Sequence, residues 1–230
     1  MPGIHRKKLS LHMPRQTACT HALPHARLTT TDMDAMTDKF RNALAEESDF
    51  PLTDHIFGLI TDNADTLVFH KGEAVVDLGR HDPDIYIIRS GIVRGYMLEQ
   101  GVETNVYFGM EGTLVASMQS FSTGAPSIMR IEACCNTEML RIRKNTFDRL
   151  MTESNEFCRW VAGVFMRQSC YAELKAKVMN GDARWRYEWL ERCRPELFDN
   201  VPLKAIASYL KMTEVHVSRI RKRIAQGEKF

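Results

Sequence analysis

Between residues 66 and 143 the chain runs through seven short stretches rich in β-branched and aromatic residues: 66–70, 74–78, 85–89, 92–98, 103–108, 128–134 and 138–143. Gly72, Gly79, Gly91, Gly101 and Gly112 stand between them or at their ends. Many short strands with turn signals at regular spacing predict an antiparallel sandwich or barrel. No other feature narrows the possible folds as far.

The remainder reads as helix. Residues 34–46 have apolar positions at helical spacing, Pro51 interrupts, and 52–63 resume the pattern. After the strands, 144–153 turn helical. Residues 155–180 then form one long helical stretch with no proline and a single glycine, Gly163. Its seam is Phe157, Val161, Val164, Tyr171 and Val178, with Gln168 and Lys175 at the matching polar positions. Steps of three and four resemble a coiled-coil seam. A helix packed on its own sheet shows the same steps. At roughly 39 Å, from about 1.5 Å per residue, a helix-to-helix dimer seam is the favoured expectation. Gly181-Asp182 ends that helix and caps the next, 183–193; Pro195 and Pro202 bracket a loop; helices over 203–210 and 214–225 close the chain. The expected fold class is α+β, an N-terminal antiparallel β-domain followed by an all-α end. The expected division is a disordered tail over 1–33, a jelly-roll-type β-domain with flanking helices over 34–153, a dimerisation helix over 154–180 and an all-α domain over 181–230.

The net charge of +2 conceals a division. Residues 1–33 carry five Lys or Arg against one acid, 34–180 carry fifteen against twenty-one, and 181–230 carry eleven against seven. An acidic body with basic ends suits a polyanionic partner, because Lys and Arg displace counterions from phosphates. The basic start could also be sequence upstream of a true first residue at Met33 or Met36. Six cysteines, at 19, 134, 135, 158, 170 and 193, form no C-x-x-C and no zinc-ligand spacing. They read as reduced thiols of a cytoplasmic protein. Cys134-Cys135 read as buried strand thiols in preference to a redox sensor. No apolar run is long enough to span a membrane.

The strongest local signal is PLKAIASYLKMTEVHVSRIRKRI, residues 202–224. Two helices that cross steeply need a small residue at the contact, and Ala207 supplies it. Ile206, Leu210, Met212, Val217 and Ile220 have the spacing of the miniature core between them, and Thr213 can cap the second helix. This is the pattern of a helix-turn-helix, whose second helix reads the major groove. Lys211 stands where the turn wants glycine, at a cost of about 1 kcal/mol. The DNA-binding residues expected from the outward side are Thr213, Glu214, Val215, His216, Ser218, Arg219, Lys222 and Arg223. Arg219 suits a bidentate contact to guanine, Glu214 a cytosine amino group and Val215 a thymine methyl. Lys222 and Arg223 suit phosphates, which position without specifying.

In order and motif the chain resembles the Crp/Fnr family of transcription regulators. The resemblance is carried by FHKGEAVVDLG (69–79), IYIIRSGIVRGYML (85–98), GTLVASMQSFSTGAPSIMRIEACC (112–135) and the segment at 202–224, and spans roughly residues 50–226. It implies a cyclic-nucleotide-binding jelly roll, a long dimer helix and a C-terminal helix-turn-helix. Members that bind cyclic AMP carry a glutamate for the ribose and later an arginine and serine for the phosphate. Here the glutamate position falls on Ser117, and the arginine and serine positions on Ser127 and Ile128. A cyclic phosphate buried without a cation is costly, so the effector pocket is expected to be degenerate and unresponsive to cyclic AMP. Arg130 is expected to pair with Glu132 on its own strand. Oxygen-sensing members hold an iron–sulfur cluster on N-terminal cysteines, where this chain has only Cys19. No cofactor is expected, and the effector is left open.

Two other readings compete with this one. A cupin-type enzyme needs an H-x-H pair with further ligands, and the β-region holds only His70 and His81; no G-x-S-x-G, H-E-x-x-H or P-loop occurs either. The alternative is a ligand-binding or scaffold protein with a degenerate DNA-binding end, since only six residues follow Ile224. The favoured expectation is a cytoplasmic homodimeric regulator, not an enzyme, whose partners are double-stranded DNA, a second copy and RNA polymerase, and which does not enter membranes.

Overall fold

A computed structural model describes residues 30–227. Helices α1 (Thr30–Ala45) and α2 (Asp54–Asp62) precede eight strands: β1 (Asp65–Phe69), β2 (Ala74–Val76), β3 (Ile85–Ser90), β4 (Val93–Glu99), β5 (Val102–Gly109), β6 (Leu114–Val115), then, after the short helix α3 (Met118–Thr123), β7 (Arg130–Ala133) and β8 (Thr137–Ile142). Helices α4 (Lys144–Glu153), α5 (Asn155–Met179), α6 (Ala183–Cys193), α7 (Leu197–Asn200), α8 (Leu203–Tyr209) and α9 (Glu214–Ala225) follow. Among the described residues no helix is long and apolar enough to cross a membrane.

The strands form two four-stranded sheets, in the orders β1-β8-β3-β6 and β2-β7-β4-β5. Every pairing is antiparallel, as with Ile87 opposite Leu140 and Arg94 opposite Glu132. This is the double sheet of a jelly roll. Side chains alternate across each strand. On β3, Tyr86 and Ile88 point between the sheets, where they meet Val75, Val93, Val115, Ile131 and Met139. Ile85 and Ile87 point the other way, into a second core with Phe40, Ile56, Phe147, Phe157 and Trp160 from the helices. Burial on both faces is why β3 reads as an unbroken apolar run. A third core joins the end of the β-domain to the C-terminal helices through Ile92, Phe108, Cys134, Tyr187, Ile206 and Leu210.

The α+β architecture expected from the sequence is the one observed. Helices α4, α6 and α9 have the expected bounds, and seven of the eight strands fall on the expected runs within two residues at either end. Three elements differ. Strand β6 and helix α3 lie where no element was expected, and α7 lies inside the expected loop. Ser117 caps α3 and Gly124 ends it in the left-handed conformation, φ 71°. Helix α1 starts at Thr30, inside the span expected to be a disordered tail; the rest of that span, with Cys19, lies outside the described residues.

The long helix requires a correction. Its seam was expected to face a second copy. Phe157, Val161, Val164 and Val178 are each at most 1% exposed within a single chain. The first three pack on the outer face of the β1-β8-β3-β6 sheet and Val178 joins the C-terminal core. Other seam positions do the same. Gln168 donates Nε2 to the Leu114 carbonyl at 2.9 Å, and Tyr171 bonds Tyr209. The seam is therefore intramolecular, and the outward side of α5 carries Ala162, Met166, Ser169, Cys170 and Glu173.

Candidate nucleic-acid interface

Helices α8 and α9 meet as a helix-turn-helix. Ala207, 2% exposed, lies at the contact, and its carbonyl accepts from the Met212 amide at 2.9 Å. Ile206, Leu210, Val217 and Ile220 are buried, with Met212 and Ile224 half-buried beside them. Lys211 takes the left-handed turn, φ 54°, as the motif demands. Thr213 has extended backbone, and its hydroxyl accepts the His216 amide at 3.2 Å, capping α9.

With Val217 and Ile220 inward, the opposite side of α9 is open. Thr213, Glu214, Val215, His216, Ser218, Arg219, Lys222 and Arg223 are all exposed, and Val215, an apolar side chain, is 59% exposed. Glu214 lies in the first turn and Lys222 and Arg223 in the last, each favourably placed on the helix dipole. Arg221, not singled out from the sequence, is also exposed on α9. Its place between two buried residues, Ile220 and the half-buried Ile224, hid it from a periodicity argument.

The helix-turn-helix is docked on the β-domain by its first helix. Ser208 donates its hydroxyl to the Glu103 carbonyl at 2.9 Å and accepts the Asn105 amide at 3.0 Å, both on β5. The Tyr209 ring packs at a tilt against Phe108, centroids 5.1 Å apart, and its hydroxyl lies 3.0 Å from that of Tyr171 on α5. Lys175 of α5 donates to the Val106 carbonyl, and its amine lies 3.9 Å from the Tyr209 ring centre. Burial there pushes the amine down to about 8. Arg194 donates to the Phe108 carbonyl at 3.0 Å. Of these residues, only Lys175 and Tyr171 were noticed in the sequence, as members of a helix seam.

The residues aligned with a cyclic-nucleotide site are arranged otherwise. A cavity of about 630 Å³ opens between β5, β6, α5 and residues 193–196, and Ala116, Met118 and Met129 line it. Ser117, Ser127 and Ile128, expected to form the pocket, are not among its walls. The Ser117 hydroxyl is used as the cap of α3, and that of Ser127 donates to the Met129 carbonyl at 2.7 Å. Ile128 faces solvent, 55% exposed. Arg130 pairs with Glu132, as expected, and also with Asp77 at 2.6 Å. Cys134 is buried, which pushes its thiol up to about 12 and disfavours the thiolate. Among the described residues, no group of three or more His, Cys, Asp or Glu is placed to hold a metal ion.

Residues 66–154 match the family model of the cyclic nucleotide-binding domain. Comparison with the curated proteins finds no match. Among solved structures, the chain is similar to FixK2 from Bradyrhizobium japonicum, with a TM-score of 0.61 and 17% identity over 71% of this chain and 86% of that one. It is similar to the c-di-GMP-responsive global regulator CLP of Xanthomonas campestris, with a TM-score of 0.62 and 14% identity over 76% and 93%. A transcriptional regulator of the Crp/Fnr family from Eubacterium rectale gives a TM-score of 0.57 and 19% identity over 77% and 88%. With eight strands in jelly-roll order, a long helix and a terminal helix-turn-helix, the described residues have the fold of these Crp/Fnr-type structures, and 66–154 match the cyclic nucleotide-binding domain.

Proposed function

We propose that the protein is a sequence-specific, double-stranded-DNA-binding transcription regulator of Crp/Fnr type, not an enzyme, acting in the cytoplasm as a homodimer. The observation that carries this reading is the open face of α9. Arg219, Lys222 and Arg223 project from a helix whose other side completes a helix-turn-helix core. Such a helix enters a major groove with its N-terminal half on base edges and its basic end on phosphates. The second copy docks on the outward side of α5, around Met166, which is 53% exposed. Two recognition helices then read half-sites about one helical turn apart, and RNA polymerase is the partner through which a regulator acts. The hydroxyls of Ser117 and Ser127 are engaged with backbone, so the protein does not respond to cyclic AMP.

Fluorescence anisotropy on bulk genomic DNA across a salt series tests the reading. Binding that weakens steeply as salt rises is expected, because phosphate contacts release counterions. No binding at low salt would favour the alternative, a ligand-binding or scaffold protein with a degenerate DNA-binding end.

A further inference from the structure

We infer that the cavity between β5, β6 and α5 is a binding site for an uncharged, largely apolar molecule with aromatic-ring dimensions. This deepens the regulator reading and rests on it for the ligand's role as an effector. The walls include Tyr107, Met118, Met129, Phe165, Met166 and Leu174. Thioethers and aromatic rings adapt to apolar ligands of varied outline. Met118 is 46% exposed, so an apolar surface lies open at the mouth. A volume of about 630 Å³ lies within the range of small-molecule sites.

Charge selects the class. Three cations reach the walls, and each is engaged by the protein. Arg167 pairs with Asp49 at 2.5 Å. Lys175 is held by the Val106 carbonyl and the Tyr209 ring. Arg194 is held by the Phe108 carbonyl and lies over the Tyr171 ring, 5.0 Å from its centre. The carboxyl groups of Glu46, Glu47, Asp49 and Glu196 are on the walls as well. Burial raises Glu47 and Glu196, which disfavours their charged forms. An anion entering here finds carboxyl groups on the walls, and the wall cations are each engaged, with the buried Arg167 Nε left as an unpartnered donor. A cation finds Glu47 and Glu196 held toward neutrality by burial and Asp49 already paired with Arg167. A neutral molecule meets neither cost. The Tyr107 hydroxyl is buried without a hydrogen-bond partner, which leaves hydrogen-bonding capacity beside the apolar walls.

The test uses the full chain and two dyes of the same ring size, uncharged N-phenyl-1-naphthylamine and its sulfonated relative 1-anilinonaphthalene-8-sulfonate. Fluorescence titration is expected to show one saturable site per protomer for the neutral dye, at least tenfold tighter than for the sulfonate. Met129→Trp and Ala172→Trp, which fill the cavity from the β-domain and from α5, are each expected to weaken the neutral dye tenfold or more, with circular dichroism unchanged. Millimolar cyclic AMP is expected neither to displace the dye nor to raise the melting temperature. The assignment is overturned by any of four results: no saturable binding, as when a second copy closes the cavity; equal affinity for the sulfonate; full affinity in both filled variants; or displacement by cyclic AMP. DNA binding is measured separately on the same sample. A protein that binds DNA and not the dye loses this assignment alone, and one that binds the dye and not DNA loses the regulator reading alone.

Discussion

Lys211, Arg219 and Lys175 each show how one side chain's chemistry becomes measurable. Lys211 holds a left-handed backbone that glycine adopts without strain. Lys211→Gly is expected to stabilise the fold by about 0.5–1 kcal/mol, after allowing for glycine's larger unfolded-state entropy. It should appear as a higher urea midpoint with an unchanged slope. Arg219 is exposed in the N-terminal half of α9, so Arg219→Ala should lose about 1–3 kcal/mol of discrimination between an operator and scrambled DNA. Equal discrimination by variant and parent would remove Arg219 from base reading. Lys175 makes stability depend on pH. Its amine titrates near 8 when folded and about 10.4 when unfolded. Between those values the unfolded chain holds a proton that the folded chain has released, so this group's contribution to stability rises with pH. Below about 8 the cost of the buried charge is fully present. Half-buried as the amine is, the rise should be about 1–2 kcal/mol. Urea melts from pH 7.5 to 10.5 should show it in the parent relative to Lys175→Met, and parallel curves would assign the cost elsewhere.

The elements show what periodicity can and cannot convey. The helix-turn-helix was legible almost residue by residue, because its core, small contact residue and cap lie within about twenty positions. Seven strands were legible because glycine marks their ends. Strand β6 and helices α3 and α7, at two, six and four residues, are too short for any repeat to show. Helix α5 was legible as a helix, but the partner of its apolar seam was not. Spacing locates an apolar seam, but says nothing of what covers it, and here the cover is the chain's own sheet. The dimer surface proposed above is consequently the opposite side. Met166→Glu should weaken dimerisation at least tenfold in sedimentation velocity, since it sets one like charge against another across a two-fold axis. Circular dichroism should be unchanged, because the side chain touches solvent in the single chain. A dimer as tight as the parent's would move the interface off this face.

At the scale of the whole molecule, the joint between helix-turn-helix and β-domain was not legible, because it rests on backbone groups of β5 that no side-chain pattern reports. Ser208 spans two of them, the Glu103 carbonyl and the Asn105 amide. Lys175, Tyr171 and Arg194 surround the same contact, and each of them also walls the cavity. A molecule in that cavity would therefore touch the groups that hold the helix-turn-helix in place. Ser208→Ala leaves two strand groups without their partner, at about 1 kcal/mol for each neutral bond lost. The Asn105 amide should then exchange with solvent about tenfold faster, while amides inside the β1-β8-β3-β6 sheet keep the parent's rates, since opening the joint needs no unfolding of the roll. Unchanged exchange at Asn105 would mean that the helix-turn-helix does not rest on β5 in solution. Acceleration throughout both sheets would mean that Ser208 supports the fold as a whole, and that the joint does not open independently of it.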